Sequence, residues 1–497
     1  MSNFLTPALF VFCLNSLWSI SYIDWHGNGY GMCKNIKRMN RFGISILTLA
    51  VAAFSGTTVS AQDAEGGKMT LKQCMQYAVD NSYKVLISGA EVSDARVDRL
   101  EAILKAFSPS VEAGSYGYYN FGRSVDPETN TYVSVTSFNN GYSLSGGITL
   151  FNGFSAVNNI RIARTSVQMG LDKERQTIDQ LCLATMEAFY NVVYYKELTS
   201  ILESQKANAE AALSLVRKQE ELGQKGYADV VEMEADLADW NYKYIDASNK
   251  LADAYVTLKD LMFWPSQDSL DVDARMVAEG YEDPYGRSFM QENSDIDYTA
   301  LAELNPAVQI AKNTLRNAGY ELKTAKWRFT PSLSFYGGWS TSYYTYPGKE
   351  GYVATPFHTQ FKNNGGEYLQ LSLSFPIYDR LSRVSDLRRK KNAYVRANAD
   401  YEGKMREVEA EIHRAVQDRN GASAAYLQAQ RRADVQEVAW SLNRRKYEEG
   451  LVSVLDYQKA ADNYLNAKAE RLNSLLQFYL KRSVVDYYNG IPYIDQF

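Results

Sequence analysis

From Ser155 to Lys225 the chain contains no proline and little glycine until its end, and that one stretch leaves few folding choices. Within it Leu181, Ala188, Tyr195, Leu202, Ala209 and Val216 recur every seventh residue, the spacing of helices packed side by side. A continuous helix over this stretch has about 71 residues and is roughly 106 Å long at 1.5 Å per residue. A second stretch of similar length, 382–449, is also free of proline. Each is flanked by two shorter helical segments, 70–107 with 227–263 in the first half and 298–329 with 451–488 in the second. The paired short segments together match the length of their long neighbour. Stacked end to end, they give two rods per half and four per chain.

The halves are one pattern written twice, which a long chain must be searched for first. Phe107-Ser108-Pro109-Ser110 recurs as Phe329-Thr330-Pro331-Ser332, and Leu150-Phe151-Asn152-Gly153 as Ile377-Tyr378-Asp379-Arg380. Gly226-Tyr227-Ala228-Asp229-Val230-Val231-Glu232 recurs as Gly450-Leu451-Val452-Ser453-Val454-Leu455-Asp456. The offsets are 222, 227 and 224 residues. The expected organisation is a first repeat over 62–264, an acidic connector over 265–297, a second repeat over 298–490 and a short tail over 491–497. Each repeat reads short helix, two strands, very long helix, tight turn, short helix.

The chain opens with an address. Lys34, Lys37, Arg38 and Arg41 precede an apolar run from Ile44 to Phe54 and the small residues Val59-Ser60-Ala61. That is the layout of a secretory signal peptide over 39–61, with 1–38 as an upstream extension. No later segment reaches 18 consecutive apolar residues, so a chain of this kind enters a membrane as strands.

Composition narrows the chemistry. With 53 Lys+Arg against 58 Asp+Glu, a formal net charge of −5, the chain lacks the basic footprint of a nucleic-acid binder. Three His and four Cys without metal-ligand spacing argue against a metal centre, and no cofactor is expected. Cys74 and Cys182 read as buried thiols or an incidental pair. No phosphate loop, zinc-hydrolase helix or nucleophile elbow occurs, so no enzyme is expected and energy for any transport comes from a partner.

Four strands complete each chain. Leu369, Leu371, Leu373 and Phe375 alternate with Gln370, Ser372 and Ser374, and Leu333, Phe335, Gly337 and Trp339 with Ser332, Ser334, Tyr336 and Gly338. Tyr142, Leu144, Ile148 and Leu150 alternate with Ser143, Ser145, Gly147 and Thr149, and a weaker strand runs from Ser110 to Phe121. This is the pattern of strands with one face to lipid and one to a polar lumen. Tyr116, Tyr118, Tyr119 and Phe121, with Trp339, Tyr343, Tyr344 and Tyr346, are candidates for an aromatic girdle, and 122–140 and 340–367 read as long polar loops. Open sheet edges are not tolerated in lipid, and four strands do not close around a usable space. Three copies supply 12 strands and 12 rods.

On these twin helix-to-strand junctions, strand-to-helix junctions and glycine tips, the sequence resembles the TolC-like outer-membrane efflux family over essentially all of 68–490. The loop Phe121-Gly122-Arg123-Ser124-Val125-Asp126-Pro127 is similar to the branch found in Bacteroidetes-type bacteria. The resemblance implies a mainly α chain with membrane β structure: a homotrimeric channel-tunnel with a 12-stranded β-barrel in outer-membrane lipid and a 12-rod α-helical barrel through the periplasm. It implies docking onto a periplasmic adaptor protein and an inner-membrane pump of the RND or ABC type, in a tripartite efflux or type I secretion system.

In that family the periplasmic end is closed by inward coiling and lined by carboxylates six residues after the tip glycine. Those positions are Glu232 and Asp456, with Lys459 where some members carry a second acid. Threefold copies would form an acidic constriction that favours cations. The tips Gly226-Tyr227-Ala228 and Gly450-Leu451-Val452 are the implied adaptor-docking surface. The alternative left open by the residues is a soluble periplasmic scaffold or adaptor built on helical hairpins, in which the strands form an ordinary sheet and the charges solvate helix surfaces.

Overall fold

The computed structural model describes residues 68–125, 130–273 and 297–497. The expected signal segment and upstream extension lie outside the described residues, as does most of the acidic connector. The described residues belong to one compact unit, Glu65–Phe497. In order they form α1 (Leu71–Asn81), α2 (Tyr83–Phe107), β1 (Ser110–Asn120), β2 (Arg123–Val125), β3 (Tyr132–Ser134), β4 (Ser137–Phe151), α3 (Ser155–Glu221) and α4 (Tyr227–Met262). The second half continues with α5 (Tyr298–Leu304), α6 (Pro306–Trp327), β5 (Ser332–Thr345), α7 (Phe357–Asn363), β6 (Gly366–Ser374), α8 (Ser382–Glu448) and α9 (Val454–Tyr488). A single 3-10 turn, Tyr493–Asp495, ends the chain.

The long helices α3 and α8 each have 67 residues, about 100 Å at 1.5 Å per residue. Of the heptad positions read from the sequence, Leu181, Ala188, Leu202, Ala209 and Val216 are buried and Tyr195 is half-buried. They face α4, whose Met233, Trp240, Ala247 and Ala254 are buried at the same interval. The equivalent seam between α8 and α9 carries Tyr426, Ala433 and Tyr447 against Tyr457, Ala461, Leu465 and Leu472. Toward the hairpin tips the helices meet along such stripes, as in coiled-coil packing, whereas the middle of α3 is buried on several sides in the main apolar cluster.

Two short segments expected as single helices are each broken once. Ser82 is extended, ends α1 and caps α2 by accepting from the Lys84 N–H. Asn305 separates α5 from α6 because Pro306 follows it: proline disfavours helical geometry in the preceding residue, and at the first helical position it forfeits no hydrogen bond. The main apolar cluster gathers where α1, the end of α4, the middle of α3 and the end of α9 meet, around Met75, Met186, Phe189, Leu258 and Leu475. The first residues of the connector join it: Val272 is fully buried and forms a parallel bridge with Met69, while Lys196 holds Asp271 at 2.6 Å.

The sheet order is β1-β4-β5-β6, antiparallel throughout. Each half contributes one hairpin, and the halves join where β4 pairs with β5. The two loops expected as irregular are partly ordered. In the first, β2 and β3 pair, with the Arg123 guanidinium 4.3 Å over the Tyr132 ring. In the second, β5 runs on to Thr345 and α7 follows, placing His358 on a short helix. The Gln360 side chain explains that order: its Oε1 accepts from the Tyr344 N–H at 3.0 Å and its Nε2 donates to the Tyr344 carbonyl at 2.9 Å, extending the sheet edge through a side chain.

Cys74 and Cys182 are both free and buried in the main cluster. Burial pushes both thiols up to about 12, so neither carries thiolate at neutral pH. A thiol reagent at pH 8 is expected to leave both unmodified in the folded protein and to label both in denaturant, read by peptide mass mapping.

Candidate functional site

The register places every strand's apolar set on the same side of the sheet. Leu369, Leu371 and Leu373 stand opposite Gly337, Phe335 and Leu333, which lead across to Gly146 and Ile148, and Trp339 leads to Leu144. Beyond them lie Val111 and Ala113 on β1. A bulge at Leu150 restores Phe151 to this side opposite Leu333. Leu369, Leu371 and Leu373 are exposed, as is Val111, so the apolar face is uncovered. The opposite face carries Ser372, Ser374, Gln370, Ser332, Ser334, Ser340, Ser143, Ser145, Ser110 and Glu112. An uncovered apolar face backed by a serine-rich one suits lipid on one side and water on the other. It does not suit a soluble scaffold, which would bury the apolar side.

Three tyrosines on the serine-rich face lie over glycines directly across the ladder: Tyr116 over Gly141, Tyr336 over Gly147 and Tyr368 over Gly338. A Cβ on any of those glycines would fall less than 3.0 Å from the ring. The glycines thus let the rings lie flat along the wall. This corrects the girdle reading, since Tyr116 and Tyr118 face the polar side and Tyr344 and Tyr346 are buried beneath the second loop. Tyr119 and Trp339 do stand on the apolar face, where Phe361 of α7 lies 5.5 Å from Trp339.

The other candidate site is the hairpin end farthest from the sheet. A single offset of 227 residues carries Ser155 to Ser382, Glu221 to Glu448 and Gly223 to Gly450. Gly223 (φ 71°) and Gly450 (φ 75°) both take left-handed backbone just past a long helix. Gln224 and Leu451 then donate their N–H groups back to Gln219 and Lys446 at 2.8 Å each, the same helix-ending motif twice. The tip glycines matched in the sequence therefore do different jobs: Gly450 ends α8, whereas Gly226, at φ −88°, opens α4. The sequence match slipped by three residues, about one helical turn, because a glycine stands at both ends of the first turn.

This changes which residues correspond. The counterpart of Asp456 is Asp229, and the counterpart of Glu232 is Lys459. Asp229 accepts from the Gly226 N–H at 3.1 Å, and Asp456 accepts from the Ser453 hydroxyl at 2.7 Å, so both carboxylates cap their own helix starts. Glu232 and Lys459 are exposed one turn further on. At the tips Tyr227 and Leu451 are exposed, with Ala228, while Val452 is half-buried against the local cluster of Val216, Val230, Met233, Val454 and Tyr457. Leu222 and Leu455, which the sequence did not single out, are also exposed there. Their apolar side chains just outside the heptad stripe were the available signal.

The two hairpins are tied together above the tips. Lys225 of the first turn sits 5.2 Å from the Tyr447 ring of α8, and Lys243 of α4 bonds Asp462 of α9 at 2.8 Å. Burial, reinforced by the charge of Asp462, pushes the Asp236 carboxyl up to about 6, although the Trp240 indole opposes the shift. Burial likewise pushes the Tyr447 hydroxyl up to about 12, with Asp229, Glu232 and Asp236 adding to it.

The family model described as "Outer membrane efflux protein" matches residues 93–262 and 298–482. Among solved structures, CusC, whose structures concern folding and transmembrane channel formation, is 15% identical with a TM-score of 0.69, covering 87% of this chain and 95% of its own. VceC, an outer membrane protein of Vibrio cholerae, is 13% identical at 0.67, covering 84% and 96%. The Campylobacter jejuni CmeC outer membrane channel is 16% identical at 0.67, covering 86% and 85%. No curated protein matches by sequence.

Two measurements follow from this geometry. Leu371→Arg, on the apolar face, is expected to destabilise the protein in lipid bilayers by about 2–4 kcal/mol, and Ser372→Arg, one residue on but facing the other way, by far less, as read by denaturant unfolding in vesicles. Because burial makes Asp236 hold its proton more tightly folded than unfolded, its contribution to stability falls as pH rises from about 4 to about 6 and is flat above. Asp236→Asn should remove that slope from the melting temperature, measured by circular dichroism between about pH 4 and about pH 7.

Proposed function

The chain belongs to the outer membrane efflux protein family, and from that premise we propose how its two ends serve the duct. The protein is an outer-membrane channel of an efflux system, a passive exit reaching from the outer membrane into the periplasm. The observation that carries this reading is the sheet: one uncovered apolar face, one serine-rich face and two edges, β1 and β6, each paired on one side only. In the family's trimeric architecture those edges meet the next copy and the barrel closes.

At the periplasmic end, Asp456 and Glu232 with Lys459 form the gate constriction in this reading, and Asp229 joins them as the counterpart of Asp456. Carboxylates in threefold copies around a narrow opening would concentrate cations. Lys459 opposite the acids makes the ring mixed, which argues for moderate selectivity. Closure draws on the hairpin ties described above, the Lys243 bridge among them.

The tips, Gly226-Tyr227-Ala228 and Gly450-Leu451-Val452, with Leu222 and Leu455, form the docking surface for a periplasmic adaptor protein in this reading. Exposed Leu222, Tyr227, Leu451 and Leu455 offer four large apolar side chains at an otherwise charged end. Apolar groups displayed on rigid helix turns suit packing against the end of another helical hairpin. The inner-membrane pump, of RND or ABC type, supplies the energy that a passive duct lacks.

In planar bilayers, Asp456→Ala combined with Glu232→Ala is expected to raise closed-state leak and reduce block by multivalent cations. Unchanged leak with unchanged block would remove the gate assignment. Leu451→Glu with Tyr227→Glu should lower efflux from cells severalfold while the amount of channel in the outer membrane stays constant; full efflux from that double variant would remove the docking assignment.

A further inference from the structure

Several cations along the helix seams of this chain are matched to a carboxylate across the seam. Lys390 bonds Glu321 at 2.8 Å, Arg217 bonds Glu234 at 2.6 Å and Lys481 bonds Asp418 at 2.9 Å. At one place four arginines gather without such a partner. A cleft of about 520 Å³ lies where α2, α3 and α6 run side by side, and Arg99, Arg161, Arg164 and Arg316 all line it. No carboxylate is among its lining side chains, and none of the four guanidiniums is in an ion pair among the described residues.

The arginines come from three helices yet share one depth. Arg161 and Arg164 lie six and nine residues into α3, Arg99 eight residues before the end of α2, and Arg316 eleven before the end of α6. At 1.5 Å per residue they sit about 9–17 Å from the helix ends that adjoin the sheet. Exposed Phe107, Trp327 and Phe329 mark that boundary. Arg161 and Arg164, with Gln168 a turn later, fall on one stripe of α3, the middle helix of the three. All four arginines are exposed.

The other lining groups are polar and partly fixed. Asn313 is buried and accepts from Arg316 at 3.2 Å, which orients that guanidinium. Tyr320 carries Arg161 at 5.7 Å from its ring on the same helix pair. Four like charges gathered around one space repel each other unless an anion sits between them. Guanidinium forks match phosphate oxygens in paired hydrogen bonds, which a point-charge ammonium does not.

We propose that this cleft of Arg99, Arg161, Arg164 and Arg316 is a binding site for a phosphate-bearing anion. Two sources share that chemistry: the headgroup of an anionic phospholipid in the adjoining leaflet, and a soluble phosphate monoester in the surrounding water. The polar lining with Tyr320 has room for a headgroup-sized ligand.

The test uses the full-length protein as purified in neutral detergent. Binding of phosphatidylglycerol, with phosphatidylcholine as control, is measured by native mass spectrometry, and binding of glycerol 3-phosphate by titration calorimetry. Wild type is expected to bind at least one probe, with affinity reduced about tenfold or more in Arg161→Gln/Arg164→Gln and to a smaller extent in Arg99→Gln, an exposed position on a separate helix. Binding of phosphatidylglycerol alone assigns the lipid source; saturable binding of glycerol 3-phosphate assigns the soluble one. Unchanged mass and melting temperature in Arg99→Gln establish that its loss of binding is local. Failure of both probes to bind wild type, or equal binding by wild type and variants, would overturn the proposal.

Discussion

Backbone groups that face hydrocarbon must be hydrogen-bonded, and the rest of this architecture answers that demand. Each unpaired N–H or carbonyl in lipid costs several kcal/mol. Four strands with the order β1-β4-β5-β6 satisfy the interior of the sheet and leave the outer sides of β1 and β6 open. The apolar face marks this sheet as one for lipid, so the open sides have to be completed by other copies. A chain that supplies a third of a barrel wall supplies a third of the tunnel beneath it, and the matched lengths of α3 and α8 keep the two layers in step.

The duplication sets how that wall is joined to the tunnel. Gly153 and Phe154 are both left-handed at the first strand-to-helix junction, and Arg380 and Leu381 repeat this at the second. Two successive left-handed residues turn the chain sharply from strand direction to helix direction. That the second repeat does so without glycine shows that the turn is imposed by the surrounding structure, since such backbone is strained for ordinary residues. From there the 227-residue offset holds to the hairpin tips, where each long helix is closed by the same glycine geometry.

Much of this was legible in the sequence. Five of the six heptad residues of α3 are buried, and the alternation of β5 and β6 maps directly onto the two faces of the sheet. Periodicity reports burial well because it sums over many residues. What escaped were single-residue decisions. The break at Ser82 depends on one capping side chain and the break at Asn305 on the single proline after it. The tip register was misassigned by a turn because Gly223 and Gly226 both fit a turn, and only backbone geometry separates the one that ends a helix from the one that starts the next. The helix α7 depends on Gln360 reaching the backbone of Tyr344, a contact between residues that no local pattern links. The arginine cleft was hidden for the same reason: its members are scattered over three helices and converge only in the fold.

The unmet edges of one chain are met by its copies. Light scattering of the protein solubilised in mild detergent, corrected for bound detergent, measures this most directly. A protein mass of three chains is the expected result. A uniform single-chain species that keeps its strand content and stays soluble after the detergent is removed would contradict it.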